Sequence, residues 1–230
     1  MTALVAALVK RARRDGDRPL ITYYDLATGA RTELSGRTFA NWVDKTYHLL
    51  VELDVQPSET VALPLAVDHP GHWVTFALVA GAWQAGAVVV PEPSATAVVT
   101  AVGPEDLGRA APGTVLACSL HPLGFGFADP LPAGVIDFSV DVRSQPDAHA
   151  EELLEEDAPA WRDRSEALTH ADLASIRPVS ERVLVRPTTP LETVSRAYIA
   201  PLLGGGSSVV VVGDDPQRAA RIAADERVTG

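Results

Sequence analysis

The chain has 230 residues, 47% apolar and 21% charged, which is material for one large core and excludes a disordered or disulfide-stapled peptide. Nineteen Lys+Arg against thirty Asp+Glu give a net charge of −11, a balance that repels phosphate backbones and anionic lipid, so no nucleic acid and no membrane is expected as partner. The single cysteine, Cys118, permits neither an internal disulfide nor a cysteine-based metal site and suits a reducing, cytoplasmic setting. Only two lysines occur, Lys10 and Lys45.

Met1 to Val9 is apolar, but the basic cluster Lys10, Arg11, Arg13, Arg14 follows it, the reverse of a secretory signal, and the spacing predicts an N-terminal helix. Residues 19–25 and 31–34 read as a hairpin bent at Thr28-Gly29. From Ser35 the period is helical, with Phe39, Trp42, Val43, Tyr47, Leu50 and Leu53 on one face. Thr60 to Leu65 reads as a short apolar strand and Asp68 to His72 as a loop. The nineteen residues Trp73 to Pro91 carry no charge and approach a membrane span in length. Their grammar is that of a globular core: Trp73, Phe76, Ala77, Ala80 and Trp83 keep helical spacing, Gly86 sits at a C-cap, and Ala87 to Val90 form a buried strand stopped by Pro91.

Residues 92–150 hold seven prolines and read as less regular, with short strands near 114–118 and 134–138. Asp147 to Asp157 contains six acids and no Lys or Arg, the composition of a solvated helix face or connector. An irregular or acidic connector over 92–157 is therefore expected inside a single domain of residues 1–230. Val183 to Val185 reads as a strand, Thr189 to Leu203 as a helix, Ser208 to Val212 as a second buried strand and Pro216 to Asp225 as a helix. Strands alternating with helices, several of them continuous aliphatic runs, predict an α/β fold with a largely parallel sheet flanked by helices.

Several stretches carry a family resemblance: Pro19 to Tyr23, Leu34 through a helix to Leu53, Val55-Gln56-Pro57-Ser58-Glu59-Thr60-Val61-Ala62-Leu63, and above all Ala80 to Pro91. In order and spacing they resemble the N-terminal portion of the AMP-binding, acyl-adenylate-forming superfamily, which includes acyl-CoA synthetases, luciferases and nonribosomal adenylation domains. Leu168 to Leu173 is similar to the helix start after that family's phosphate loop, and Ala200 to Gly206 to the segment that closes its subdomain. The best match is to short, degenerate actinobacterial homologues of this AMP-binding domain. The resemblance implies an acetyl-CoA synthetase-like N-terminal subdomain, and it reaches only about the first half of a full-length member. Beyond Gly230 the family would supply its adenine-binding segment, its Mg-binding glutamate, its ribose-binding aspartate and a mobile C-terminal domain with a catalytic lysine.

The departures from the family are chemical. Its phosphate loop is rich in Ser, Thr and Gly and ends in Pro-Lys-Gly, because free backbone N–H groups and a lysine must surround the anion. Here Ala160 to Ala167 contains neither glycine nor lysine, Trp161 and Glu166 are set to crowd and repel a triphosphate, and no Gly-Lys pair occurs anywhere. Where the family usually carries a histidine near its acyl pocket, this chain has Pro187-Thr188-Thr189-Pro190. Thr188 and Thr189 are the candidate pocket residues that the resemblance offers, although Thr189, Pro190 and Glu192 also fit a helix N-cap, N1 and N3.

Other constellations read as scaffold. Asp68-His69-Pro70-Gly71-His72 could offer metal ligands, but a third firm ligand is lacking and Pro70-Gly71 suits a turn, so no metal is expected. His170 follows the N-cap Thr169, with Asp172 closing a capping box. Gly124 to Asp129 lacks the third glycine of a dinucleotide fingerprint and reads as a bent strand or loop. Gly204 to Ser208 reads as a tight helix-to-strand turn. No Gly-x-Ser-x-Gly occurs, and no catalytic residue is assigned. The expectation is a non-catalytic homologue of the adenylate-forming N-terminal domain that binds a small molecule or associates with a protein, as a homodimer or with another partner, and without a cofactor. The enzymatic alternative is an ATP-dependent, AMP-forming acid ligase, with ATP, AMP or CoA as cofactors and a partner supplying the missing half.

Overall fold

The computed structural model describes residues 1–150 and 153–230. Helix α1 (Ala3–Arg14) buries Leu4, Val5 and Leu8, and carries Arg11, Arg13 and Arg14 in its last turn, where cations oppose the helix dipole. Strands β1 (Pro19–Asp25) and β2 (Arg31–Ser35) form the antiparallel hairpin that the turn residues announce. Ser35 then caps helix α2 (Gly36–Glu52) by accepting from the Thr38 N–H. Strand β3 (Thr60–Ala62) is shorter than the sequence suggests: Pro64 starts helix α3 (Pro64–Asp68), so residues 63–65 leave the sheet. Proline cannot donate to a sheet ladder but suits the first turn of a helix, which accounts for the difference.

Helix α4 (Trp73–Gln84) is buried at all twelve of its residues, which explains why its sequence is apolar all round. It crosses α2 at Gly81, where an added Cβ would lie 2.6 Å from Thr46 Cγ2. Gly86, at φ +73°, reverses the chain into strand β4 (Val88–Val90), as the C-cap reading requires.

Within residues 92–157 the expected short strands are present as β6 (Thr114–Ala117) and β7 (Val135–Asp137), and two unassigned elements join them, strand β5 (Ala97–Val102) and helix α5 (Phe138–Ser144), so this stretch is part of the sheet rather than an irregular connector. The prolines punctuate these elements without entering them. Strand β5 was hidden because Val98 to Val102 lies between two proline-rich stretches, yet it pairs directly with β3 through Val61 and Val99. Of the acidic run, Glu151 and Glu152 lie outside the described residues.

Strands β8 (Pro159–Arg162) and β9 (Ala167–Thr169) form a tight hairpin leading into α6 (His170–Ala174), where the predicted Thr169–Asp172 capping box is present. After β10 (Arg182–Val185), the predicted helix runs as α7 (Pro190–Val194), one π-helical stretch (Ser195–Ile199) and α8 (Ala200–Gly204). Strand β11 (Ser207–Val212) and helix α9 (Pro216–Asp225) follow.

Two sheets result. One has seven strands in the order β7-β6-β5-β3-β4-β8-β9, parallel except for β9, and the other four in the order β10-β11-β1-β2, parallel except for β2. A single large core joins them, with Ile21 and Val210 from the smaller sheet and Val61, Val89, Val99 and Leu116 from the larger. Val209 and Val211 face the other way, onto Ala219 and Ile222 of α9. That two-sided burial is why β11 reads as an unbroken aliphatic run.

Candidate functional site

Strand order in the larger sheet reverses at β3, because the chain steps to β4 on one side and then to β5 on the other. The crevice outside the carboxyl ends of such strands is where open α/β sheets place ligands. A cleft of about 430 Å³ lies there. Its walls are Pro64 and Asp68 after β3, Pro91 and Glu92 after β4, Asp163 and Arg164 after β8, and Arg109; Thr189 and Pro190 reach it from the other sheet. Arg164 is largely exposed and stands 3.7 Å from Glu92, while Arg109 is paired with Asp106 three residues before it.

The β8–β9 turn forms one wall of this cleft. The Asp163 carboxylate receives the backbone N–H groups of Ser165 at 2.8 Å and Glu166 at 3.0 Å, the Ser165 hydroxyl at 2.7 Å, and the indole Nε1–H of buried Trp161 at 2.9 Å. Desolvation pushes its carboxyl pKa up, but these donors outweigh it and hold the group at about 2. The N–H groups that a phosphate loop would offer to a ligand are thus occupied by the chain's own anion.

The two threonines part company. Thr189 lines the cleft, whereas Thr188 turns to the following helix, its hydroxyl 2.8 Å from Glu192 Oε2 and its N–H donating to Thr193 Oγ1 at 2.9 Å. Thr189 is the N-cap, as expected, but its side chain makes no capping bond; the Thr188 N–H instead ties the preceding loop to Thr193 within the helix.

A second cavity of about 190 Å³ lies at the carboxyl ends of the smaller sheet and holds the histidine motif. His69 Nε2 meets Glu105 Oε1 at 2.6 Å, and His72 Nδ1 accepts the Val74 N–H at 3.3 Å, capping α4. Burial, with the neighbouring His69, pushes the His72 pKa down to about 3. Among the described residues no group of three or more His, Cys, Asp or Glu is placed to hold a metal. The Gly204 to Ser208 turn spends its N–H groups internally, on Pro201 O and Glu181 O, and Gly124 to Asp129 is a loop. Lys10 is exposed on α1, and Lys45 binds the carbonyls of Arg143 and Gln145, so neither lysine reaches the cleft.

Sequence reading missed Glu92, Arg109 and Asp163 as cleft residues. The signal available for Glu92 was positional, since it lies two residues past the predicted buried strand Ala87 to Val90; Asp163 follows a strand that the sequence reading did not assign, and Arg109 had no signal.

No protein-family model matches the chain. Among curated proteins it is 36% identical over 242 residues to a TIGR03089 family protein of Mycobacterium tuberculosis, covering 97% of this chain and 95% of that one. Among solved structures it is similar to an acyl-CoA synthetase of Brucella canis, with TM-score 0.82 and 15% identity over 100% of this chain and 46% of the other. A fatty acyl CoA synthetase of Mycobacterium tuberculosis gives TM-score 0.71 and 17% identity over 98% and 48%, and a benzoate CoA ligase of Burkholderia xenovorans LB400 gives 0.70 and 15% over 96% and 47%. The chain therefore has the fold of an acyl-CoA synthetase N-terminal domain and spans about half the length of those enzymes.

Proposed function

The chain belongs to the TIGR03089 family and is built on the adenylate-forming ligase fold, and from that premise we propose that it is a non-catalytic module that binds a small molecule or a protein. One observation carries the reading: the Asp163 carboxylate fills the turn at the end of β8, where the resemblance to adenylate-forming enzymes would set their phosphate loop. A triphosphate brought there meets a fixed negative charge instead of free N–H groups, and the cations of the cleft, Arg109 and Arg164, already face Asp106 and Glu92. Fold alone supplies no chemistry.

Purified protein with a panel of carboxylic acids is expected to give no ATP–pyrophosphate exchange, and its unfolding midpoint is expected not to move with ATP-Mg, AMP, CoA or acyl-adenylate mimics. Exchange above background with any acid refutes the proposal. The module is further proposed to pair with a second copy of itself, because Leu123, Phe125 and Val140 are exposed around Arg143, whose guanidinium lies 4.7 Å over the Phe125 ring. Light scattering is expected to report twice 24.3 kDa at micromolar concentration, and the monomer mass counts against pairing.

A further inference from the structure

The second cavity, of about 190 Å³ at the carboxyl ends of the smaller sheet, contains a hydroxyl that the fold leaves unused. Tyr23 pairs with Val210 across β1 and β11, which sets its side chain on the core face of that sheet, beside the loop of residues 68–72. Its ring packs edge-on against His72, with centroids 4.8 Å apart. The residue is 6% exposed and lines the cavity, and among the described residues its hydroxyl has no hydrogen-bond partner. The Tyr23 oxygen is not sealed from water, as unpartnered atoms such as Thr100 Oγ1 are, so an occupant of the cavity can reach it. A buried polar group without a partner is costly, and native structures keep one where a water or a ligand completes it. The cavity wall is firm, since an added Cβ at Gly71 would lie 2.9 Å from Val212 Cγ2 and the loop therefore rests directly on the end of β11.

The charges around this hydroxyl select the ligand. The carboxylates of Asp68 and Asp214 line the cavity and hold no hydrogen bond or ion pair among the described residues. Burial, and then the charge of Asp25, push the Tyr23 phenol up, so it stays neutral. Opposing cations are already used or absent. Burial and the neighbouring His69 push the His72 pKa down to about 3, His69 Nε2 is taken by Glu105 at 2.6 Å, and Arg186 donates to the Gly213 carbonyl. A primary ammonium carries three N–H donors and one positive charge, and a phenol oxygen with two free carboxylates offers it three acceptors of opposite sign. Pro70, Pro187 and Val212 add an apolar wall for a short alkyl group, and the volume admits only a small molecule.

We propose that this cavity binds a small primary alkylammonium ion, its N–H groups shared among the Tyr23 hydroxyl oxygen, Asp68 and Asp214 and its alkyl group against Pro70, Pro187 and Val212. The site stands apart from the β8–β9 turn and holds whether or not the protein activates carboxylic acids.

Propylammonium, tetramethylammonium and 1-propanol test it, each added to wild type, Tyr23→Phe and Asp68→Asn in thermal unfolding at matched ionic strength. Propylammonium at ten times its half-saturating concentration is expected to raise the wild-type midpoint by about 3–5 °C. Tetramethylammonium, which has the charge without donors, and propanol, which has a donor without the charge, are expected to do clearly less. Without ligand, Tyr23→Phe is expected to unfold at or above the wild-type midpoint, because the hydroxyl it removes bonds to nothing in the protein. Both variants are expected to need about tenfold more propylammonium for the same rise. Asp68 also borders the larger cleft but Tyr23 does not, so the Tyr23→Phe response places the ligand here. The proposal is overturned by an unmoved wild-type midpoint, which would leave water alone on the hydroxyl, or by unchanged half-saturation in either variant. A clearly lower unliganded midpoint in Tyr23→Phe also overturns it, since the hydroxyl would then be satisfied already. An equal rise with tetramethylammonium or propanol overturns the ammonium assignment.

Discussion

Replacing Asp163 by Ala tests how the β8–β9 turn is held. The wild-type carboxylate accepts two backbone N–H groups, a serine hydroxyl and the Trp161 indole N–H. Water can replace the exposed donors of Ser165 and Glu166 at little cost, but Trp161 is fully buried, and a stranded buried donor costs about 1–3 kcal/mol. The total is about 2 kcal/mol, or about 4–8 °C in midpoint for a chain of this size. The pH dependence gives an independent check. Because the folded-state pKa is held at about 2, below the unfolded value near ~3.9, the stabilisation is fully present above the unfolded pKa and is lost as pH falls through the folded one. Urea unfolding should therefore show a constant gap between wild type and variant from neutral pH down to about pH 5, closing toward pH 2. A gap under about 0.5 kcal/mol, or one unchanged at the lowest pH, refutes the account of the turn.

Gly81→Ala places a methyl 2.6 Å from Thr46 Cγ2 and should lower stability by about 1–3 kcal/mol in urea, despite the better helix propensity of alanine. Thr193→Val removes the acceptor of the Thr188 N–H and should cost about 1 kcal/mol, whereas Thr189→Ala, which loses no capping bond, should be neutral in the same assay. Glu226, its carboxyl desolvated but held down at about 2 by Tyr24, Arg182 and Arg31, should make Glu226→Gln destabilising at neutral pH, with the deficit shrinking as pH falls toward 2 in acid-unfolding curves.

Much of the fold was legible because its strongest signals are local. The Thr28-Gly29 bend, the Ser35 and Thr169 caps, the Gly86 reversal and the helical spacing of Trp73 to Trp83 each act within a few residues, and each forms where the sequence places it. The larger sheet was less legible because its pairing is non-local. Strand β5 joins β3 across the intervening β4 excursion, and nothing near Val98 to Val102 reports that partner. Its flanking prolines read as disorder of the pattern, whereas in the folded chain Pro104 opens the turn after the strand and Pro91 and Pro93 line the cleft.

The site shows the same asymmetry more sharply. Composition alone reveals that the segment before Leu168 lacks glycine and lysine, and so lacks a phosphate cradle. It does not reveal what the shortened loop does with the N–H groups that remain. The tight turn between β8 and β9 leaves the N–H groups of Ser165 and Glu166 without a ladder partner, and such donors need an acceptor. Asp163 provides it from within the turn, and also reaches back to anchor Trp161 in the core. The same carboxylate thereby stabilises the hairpin and occupies its donors. Under the non-catalytic reading proposed above, the residue that would turn phosphate away is also one the fold leans on. On that reading, a lysine added to the cleft would not by itself confer phosphate binding, because Asp163 would also have to be displaced, at the stability cost worked out above.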